Sequence, residues 1–89
     1  MRAYRVEFLP QASDELAALD EAVTQRVLTK LRWLAENLED LTLEPLRGEL
    51  KGLFKLRVGS YRVFYSVDRE KRILCVHLIG HRRDIYKLS

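Results

Sequence analysis

The residues best suited to chemistry lie in one basic stretch and one basic tail. Lys55, Arg57 and Arg62 fall within Lys51-Gly52-Leu53-Phe54-Lys55-Leu56-Arg57-Val58-Gly59-Ser60-Tyr61-Arg62-Val63-Phe64-Tyr65, and Arg82, Arg83, His81 and Tyr86 follow in Gly80–Tyr86. Such a set can hold a phosphodiester, stack on a base and stabilise the charge of a phosphorane-like transition state. Arginine stays protonated at neutral pH and cannot act as the base. Lysine can do so if its pKa is lowered, and crowding by other cations favours the neutral amine. Lys55 beside Arg57 and Arg62 meets that condition, and His81 is the other residue whose ordinary pKa lies near neutrality. The general base is therefore expected to be Lys55 or His81. Other site types are poorly supported. There is no phosphate-cradling glycine loop and no Cys-x-x-Cys pair, and carboxylates are scarce in the basic half, against a two-metal nuclease site. Cys75 and His77 fall in an apolar run, where a buried thiol and a hydrogen-bonded histidine are expected rather than metal ligands. No cofactor is called for.

Positioning these side chains requires a hairpin. Apolar and basic residues alternate before Gly59-Ser60, and an aromatic and β-branched run follows. A two-residue loop opening with glycine suits a type II′ turn. Val58 then pairs with Tyr61, Arg57 with Arg62, Leu56 with Val63, Lys55 with Phe64 and Phe54 with Tyr65. Phe54, Leu56, Val58, Tyr61, Val63 and Tyr65 share a core face, and Lys55, Arg57 and Arg62 share the other. Two guanidinium groups across from each other destabilise a sheet, which implies an anion between them.

The remaining elements form a scaffold for that hairpin. Residues 3–8 alternate and predict a first strand with Tyr4, Val6 and Phe8 on one face. Pro10 opens a helix carrying Ala12, Leu16 and Leu19. Asp20 is a candidate N-cap for a second helix, whose stripe is Val23, Val27, Leu31, Leu34 and Leu38. Trp33 lies off that stripe, at the edge of the core or on a partner-binding surface. Residues 39–50, with Pro45 and Gly48, predict a loop. Residues 68–72 form a polar turn, and Ile73–Ile79, apolar on both faces, an interior strand. The order β-α-α-β-β-β implies an α+β fold, a helical hairpin on one face of a mainly antiparallel four-stranded sheet. The 89 residues form a single domain, 1–89.

Charge divides the chain. Its net charge of +3 combines −4 over residues 1–44 (five Lys/Arg, nine Asp/Glu) with +7 over residues 45–89 (eleven and four). A basic half on a small domain is the footprint of a nucleic-acid binder, with Lys51, His81 and Arg83 as further RNA contacts. No apolar run reaches the ~18 residues of a membrane span, and the first eight residues alternate too strongly for a signal peptide. With one cysteine, which cannot form an internal disulfide, these features point to a cytoplasmic protein with no membrane partner.

Leu53–Tyr65, Gly80–Tyr86, the preceding Leu46-Arg47-Gly48 and the β-α-α opening together resemble the RelE branch of the RelE/ParE toxin superfamily, over nearly the whole chain. The resemblance implies a toxin of a type II toxin–antitoxin pair. It would act in the A site of the 30S ribosomal subunit as a metal-independent mRNA endoribonuclease. The 2′-hydroxyl would attack the adjacent phosphate and leave a 2′,3′-cyclic phosphate. It implies that Lys55 helps activate the 2′-hydroxyl, Arg57 stabilises phosphate charge, Arg62 stabilises the transition state, Arg82 assists the leaving group and Tyr86 stacks on or orients the nucleotide. The partners implied are a RelB-like or other small acidic antitoxin, the ribosome with its mRNA, and operator DNA through the antitoxin. Two departures stand out: Lys-Leu-Arg replaces a Lys-x-Lys pair, and the tail is shorter between Arg82 and Tyr86. Two alternatives remain open, a ParE-like gyrase inhibitor that acts by protein binding and an inactive homologue retained for autorepression.

Overall fold

The computed structural model describes residues 3–87, so Met1, Arg2 and the last two residues of the basic tail, Leu88 and Ser89, lie outside it. Strand β1 is Arg5–Phe8. Helix α1 is Pro10–Ala17, with the proline in its first turn, and α2 is Glu21–Asn37. Asp20 precedes α2 as expected but makes no side-chain capping bond. Strands β2 (Glu44–Pro45), β3 (Phe54–Val58), β4 (Tyr61–Asp68) and β5 (Ile73–His81) follow.

The sheet order is β1-β5-β4-β3-β2, with β1 parallel to β5 and the other pairs antiparallel. The expected α+β architecture is present, with one correction. The stretch read as loop contributes a fifth strand of two residues. It is an edge strand, where proline's missing N–H costs no ladder bond. Interior β5 pairs on both sides. At its bulge Phe64 pairs with Leu78 and Tyr65 with Val76, which leaves His77 as the extra residue.

The helices cover one face. Val27, Leu31, Leu34 and Leu38 pack with Leu56, Val58, Val63, Tyr65, Leu74, Val76 and Ile79, all buried. Burial at these positions is the main favourable term in folding. The opposite face carries apolar residues beside Lys55, Arg57 and Arg62. Phe64, Leu78 and Ile85 form a second buried cluster there, with Leu46, Leu50 and Leu53 against it. Ile85 of the tail packs directly over Gly80 of β5, where a Cβ would stand 3.4 Å from Ile85 Cβ, an ordinary van der Waals distance.

All five hairpin pairs have the expected register. Gly59 has φ +58°, while Ser60 is not among the positive-φ residues, as a II′ turn requires. Gly59→Ala is expected to cost roughly 1–2 kcal/mol, the penalty for an L-residue in left-handed backbone, read as a lower urea midpoint at unchanged m-value.

A polar staple closes the far end. The hydroxyl of buried Tyr4 donates to Glu39 Oε2 at 2.6 Å, and Arg69 and Arg72 reach the same carboxylate at 3.1 and 3.4 Å. The Tyr4 hydrogen bond, followed by the two arginines, holds Glu39 below its ordinary pKa of 4.5. A carboxyl depressed in the folded state stabilises above its unfolded pKa, and that contribution disappears as pH falls through the folded value. The protein should therefore lose stability below about pH 4.5. Tyr4→Phe should lower Tm by a few degrees at neutral pH and flatten this acid dependence in thermal melts at stepped pH.

Candidate active site

Alternation along β3 sends Lys55 and Arg57 to the face opposite the helices, and the β2–β3 pairing sets Glu44 directly across from Lys55. Glu44 Oε2 lies 3.0 Å from Arg57 Nη2 and 3.3 Å from Lys55 Nζ, and Oε1 accepts from Arg57 Nε at 3.3 Å. The two-point contact with the guanidinium is the strong form of this pair. Lys55 Nζ also donates to Tyr86 Oη at 2.8 Å. The Tyr86 ring rests on Phe64, with centroids 5.4 Å apart, and Lys55 Nζ lies 5.5 Å from its centre. The second apolar cluster thus seats Tyr86, and Tyr86 in turn holds Lys55.

Lys55, Arg57 and Tyr86 therefore meet in one group, together with a residue that the sequence reading missed. Glu44 lay in a segment read as loop. Its only sequence signal was a carboxylate before proline, compatible with an edge strand. Glu44 also overturns the expected electrostatics of Lys55. Crowding by cations was expected to favour the neutral amine. Instead the hydrogen bond with Tyr86, and then Glu44, hold the lysine pKa above its ordinary value of 10.5, against a desolvation effect that lowers it. Lys55 is an ammonium at neutral pH. The Arg57 hydrogen bond chiefly holds the Glu44 carboxyl below 4.5, so Glu44 is ionised.

Arg62 departs further from expectation. Its Cα pairs with that of Arg57, but the two guanidinium groups do not share the surface. Arg62 is buried, and its Nη1 donates to the carbonyls of Gly59 at 2.9 Å and Tyr61 at 2.8 Å, whereas Arg57 turns outward to Glu44. The like-charge problem is resolved by separate carbonyl and carboxylate partners.

The tail is anchored where Arg82 N donates to Ser60 O at 2.8 Å, which sets the exposed Arg82 beside the hairpin turn. His81 is not joined to Lys55. It pairs with Tyr61, packs edge-on against that ring at 5.4 Å, and its Nδ1 accepts from Arg83 N at 3.1 Å. Tyr61 belongs to the helix-side face, so His81 lies across the sheet from the Lys55 group. Arg83 is exposed in the turn after β5, and Lys51 is exposed in the turn before β3. Cys75 is half-buried as a thiol, and burial lowers the pKa of His77, whose Nε2 lies 2.9 Å from Ser66 Oγ. Among the described residues no group of three or more His, Cys, Asp or Glu could hold a metal ion.

Residues 6–86 match the family model described as the ParE toxin of the type II toxin–antitoxin system parDE. The chain belongs to the RelE/ParE superfamily of type II toxins. A putative RelE-like toxin protein of Escherichia coli is 33% identical to the toxin over 90 residues, covering 97% of this chain and 93% of that one. Toxin RelG of Mycobacterium tuberculosis is 43% identical over 44 residues, a match spanning about half of each chain (49% and 51%). Among solved structures, the M. tuberculosis toxin–antitoxin complex RelBE2 superposes with a TM-score of 0.81 at 30% identity, covering 94% of this chain and 97% of that one. The family model carries the ParE name and the relatives carry the RelE name, so together they place the toxin in the superfamily and leave its branch to the chemistry of the site. Among the described residues, no helix is long and apolar enough to cross a membrane.

Proposed function

We propose that the toxin cuts messenger RNA in the ribosomal A site by attack of the 2′-hydroxyl on the adjacent phosphate. The observation that carries this reading is the Lys55–Arg57–Glu44–Tyr86 group, which sets two cations, one carboxylate and a phenol in mutual contact. Gyrase blockade by protein binding needs no such arrangement. In the reaction the 2′-oxygen–phosphorus bond forms and the phosphorus–5′-oxygen bond breaks, leaving a 2′,3′-cyclic phosphate and a 5′-hydroxyl. Of the residues in contact here, Glu44 is the one anion and so the one able to accept the 2′-hydroxyl proton. The Lys55 ammonium and Arg57 stabilise the developing phosphorane charge. Arg82 faces the leaving 5′-oxygen, with Lys55 available to protonate it. Tyr86, exposed on its Phe64 seat, orients the nucleotide. Arg62 stiffens the turn that carries the strand.

A carboxylate with a depressed pKa is a weak base, so the site depends on orientation. Holding the RNA near in-line geometry can replace much of the barrier otherwise met by free collision, and the ribosome supplies that alignment. Free RNA is accordingly cut poorly. The RelBE2 toxin is seen in complex with its antitoxin; this toxin is held inactive by an antitoxin of its own, one whose acidic or amphipathic segment folds over the basic face. Through that antitoxin it reaches operator DNA.

Primer extension on ribosome-bound transcripts tests the reading. Cleavage is expected to survive EDTA where ribosomes tolerate it, and a 2′-deoxy nucleotide at the cut position should block it. Clear inhibition of gyrase with intact transcripts on ribosomes would replace this reading with the gyrase one.

A further inference from the structure

Beside the site, α2 turns Arg26, Lys30 and Trp33 toward the β3–β4 turn. These residues sit at helical spacing on one flank, and with Arg57, Val58 and Gly59 they bound a groove of about 590 Å3. Gln25 and Thr29 complete its lining, which holds three cations and no carboxylate. Trp33 is 41% exposed, and Lys30 Nζ lies 4.2 Å from the centre of its ring. The Arg26 guanidinium lies over Gly59, 3.9 Å from where a Cβ would stand. Arg57 belongs both to this groove and to the Glu44 group. A smaller depression of about 260 Å3, lined in part by Lys30, Trp33, Glu44 and Lys55, joins the two.

We propose that this groove is a second RNA subsite. It takes a nucleotide flanking the scissile one, stacks its base on Trp33 and holds backbone phosphates with Lys30 and Arg26. The proposal rests on the RNA-cleavage reading above and adds to it a stacking platform on the helical layer. A basic track with an aromatic face set into it is what a single strand requires. Continuity with the phosphate-binding cations through Arg57 favours RNA over an acidic peptide as the occupant. A strand leaving Arg57 on this side has Trp33 as the exposed ring in its path.

Trp33 is the chain's one tryptophan, so its emission reports on the groove directly. The probe is a single-stranded 2′-O-methyl RNA oligonucleotide, which lacks the attacking hydroxyl. Saturable quenching of Trp33 is expected. By anisotropy with a labelled oligonucleotide, Trp33→Leu should weaken binding at least about five-fold and Trp33→Phe should retain most of it. Lys30→Ala should reduce the slope of log K against log salt by roughly 0.7. Unchanged Trp33 emission at saturating or millimolar oligonucleotide overturns the proposal. So does quenching by an antitoxin's binding segment alone, which assigns the groove to the protein partner. Trp33-dependent binding without cleavage on ribosomes keeps the subsite and rejects the reaction. Cleavage that is indifferent to Trp33, Lys30 and Arg26 keeps the reaction and rejects the subsite.

Discussion

Lys55→Ala is expected to lower the rate of ribosome-dependent cleavage by roughly 10²–10⁴-fold, in kcat rather than KM. Lys55 connects three parts of the site. Its ammonium contacts the carboxylate of Glu44 at 3.3 Å, donates to Tyr86 at 2.8 Å, and lies on the face proposed to take the phosphate. Its raised pKa makes it a permanent cation, so its contribution is charge stabilisation and proton donation, both of which matter most in the transition state. The side chain is half-buried between Glu44 and Tyr86 but lies outside both apolar clusters, so the melting temperature should fall less than for a core truncation. Lys55→Arg should recover only part of the activity, because a planar fork cannot reproduce the point contact with Tyr86. Undiminished toxicity of Lys55→Ala in growing cells, with normal expression, would remove Lys55 from the mechanism. Single-turnover measurements on programmed ribosomes separate the chemical step from binding, and Arg82→Ala should fail in that same step.

Arg62→Ala is expected to abolish toxicity and also to destabilise the fold. Considered only as one of two facing arginines, its removal should relieve repulsion and leave stability equal or slightly higher. The buried side chain reverses that sign. Its Nη1 satisfies the carbonyls of Gly59 and Tyr61, and hydrogen bonds from a charged donor contribute about 1.5–3 kcal/mol. For a domain of this size that loss corresponds to a Tm lower by roughly 10 °C. The turn itself should loosen, since Gly59 is held in left-handed backbone and Ser60 O anchors the tail through Arg82 N. Thermal melts of the purified variant check the first effect and cleavage on ribosomes the second. A variant with wild-type Tm and no activity would move Arg62 from the turn to the phosphate.

Where neighbouring residues decide the structure, the sequence was legible. The hairpin register follows from a two-residue loop with glycine first, because turn geometry sets every pair along the ladder. The helical stripe Val27, Leu31, Leu34, Leu38 and the buried face Leu56, Val58, Val63, Tyr65 follow from periods of 3.6 and 2, because burial of apolar surface selects the face. The interior position of Ile73–Ile79 follows from its apolar character on both faces. The cationic composition of the site, and the family with it, were likewise present in Lys55, Arg57, Arg62, Arg82 and Tyr86.

Electrostatic character was settled by partners distant in sequence. Glu44 is 11 residues from Lys55 in the chain, and a two-residue edge strand carries too little periodicity to announce itself. That carboxylate, with the hydroxyl of Tyr86 seated on Phe64, holds Lys55 as a cation. The opposite directions of Arg57 and Arg62 were equally invisible. Alternation assigns a Cα to a face, but a guanidinium on a flexible stem goes to whichever acceptors the folded chain supplies. His81 was drawn into the site by its nearness to Arg82 along the chain, yet the pleat set it on the far face with Tyr61. The sequence by itself determined the scaffold, its register and the sign of the working face, because these depend on local geometry and hydrophobic period. The tertiary structure alone decided which cation is paired, which is buried and which carboxylate pairs with them, because Coulomb and hydrogen-bond energies depend on distance through space.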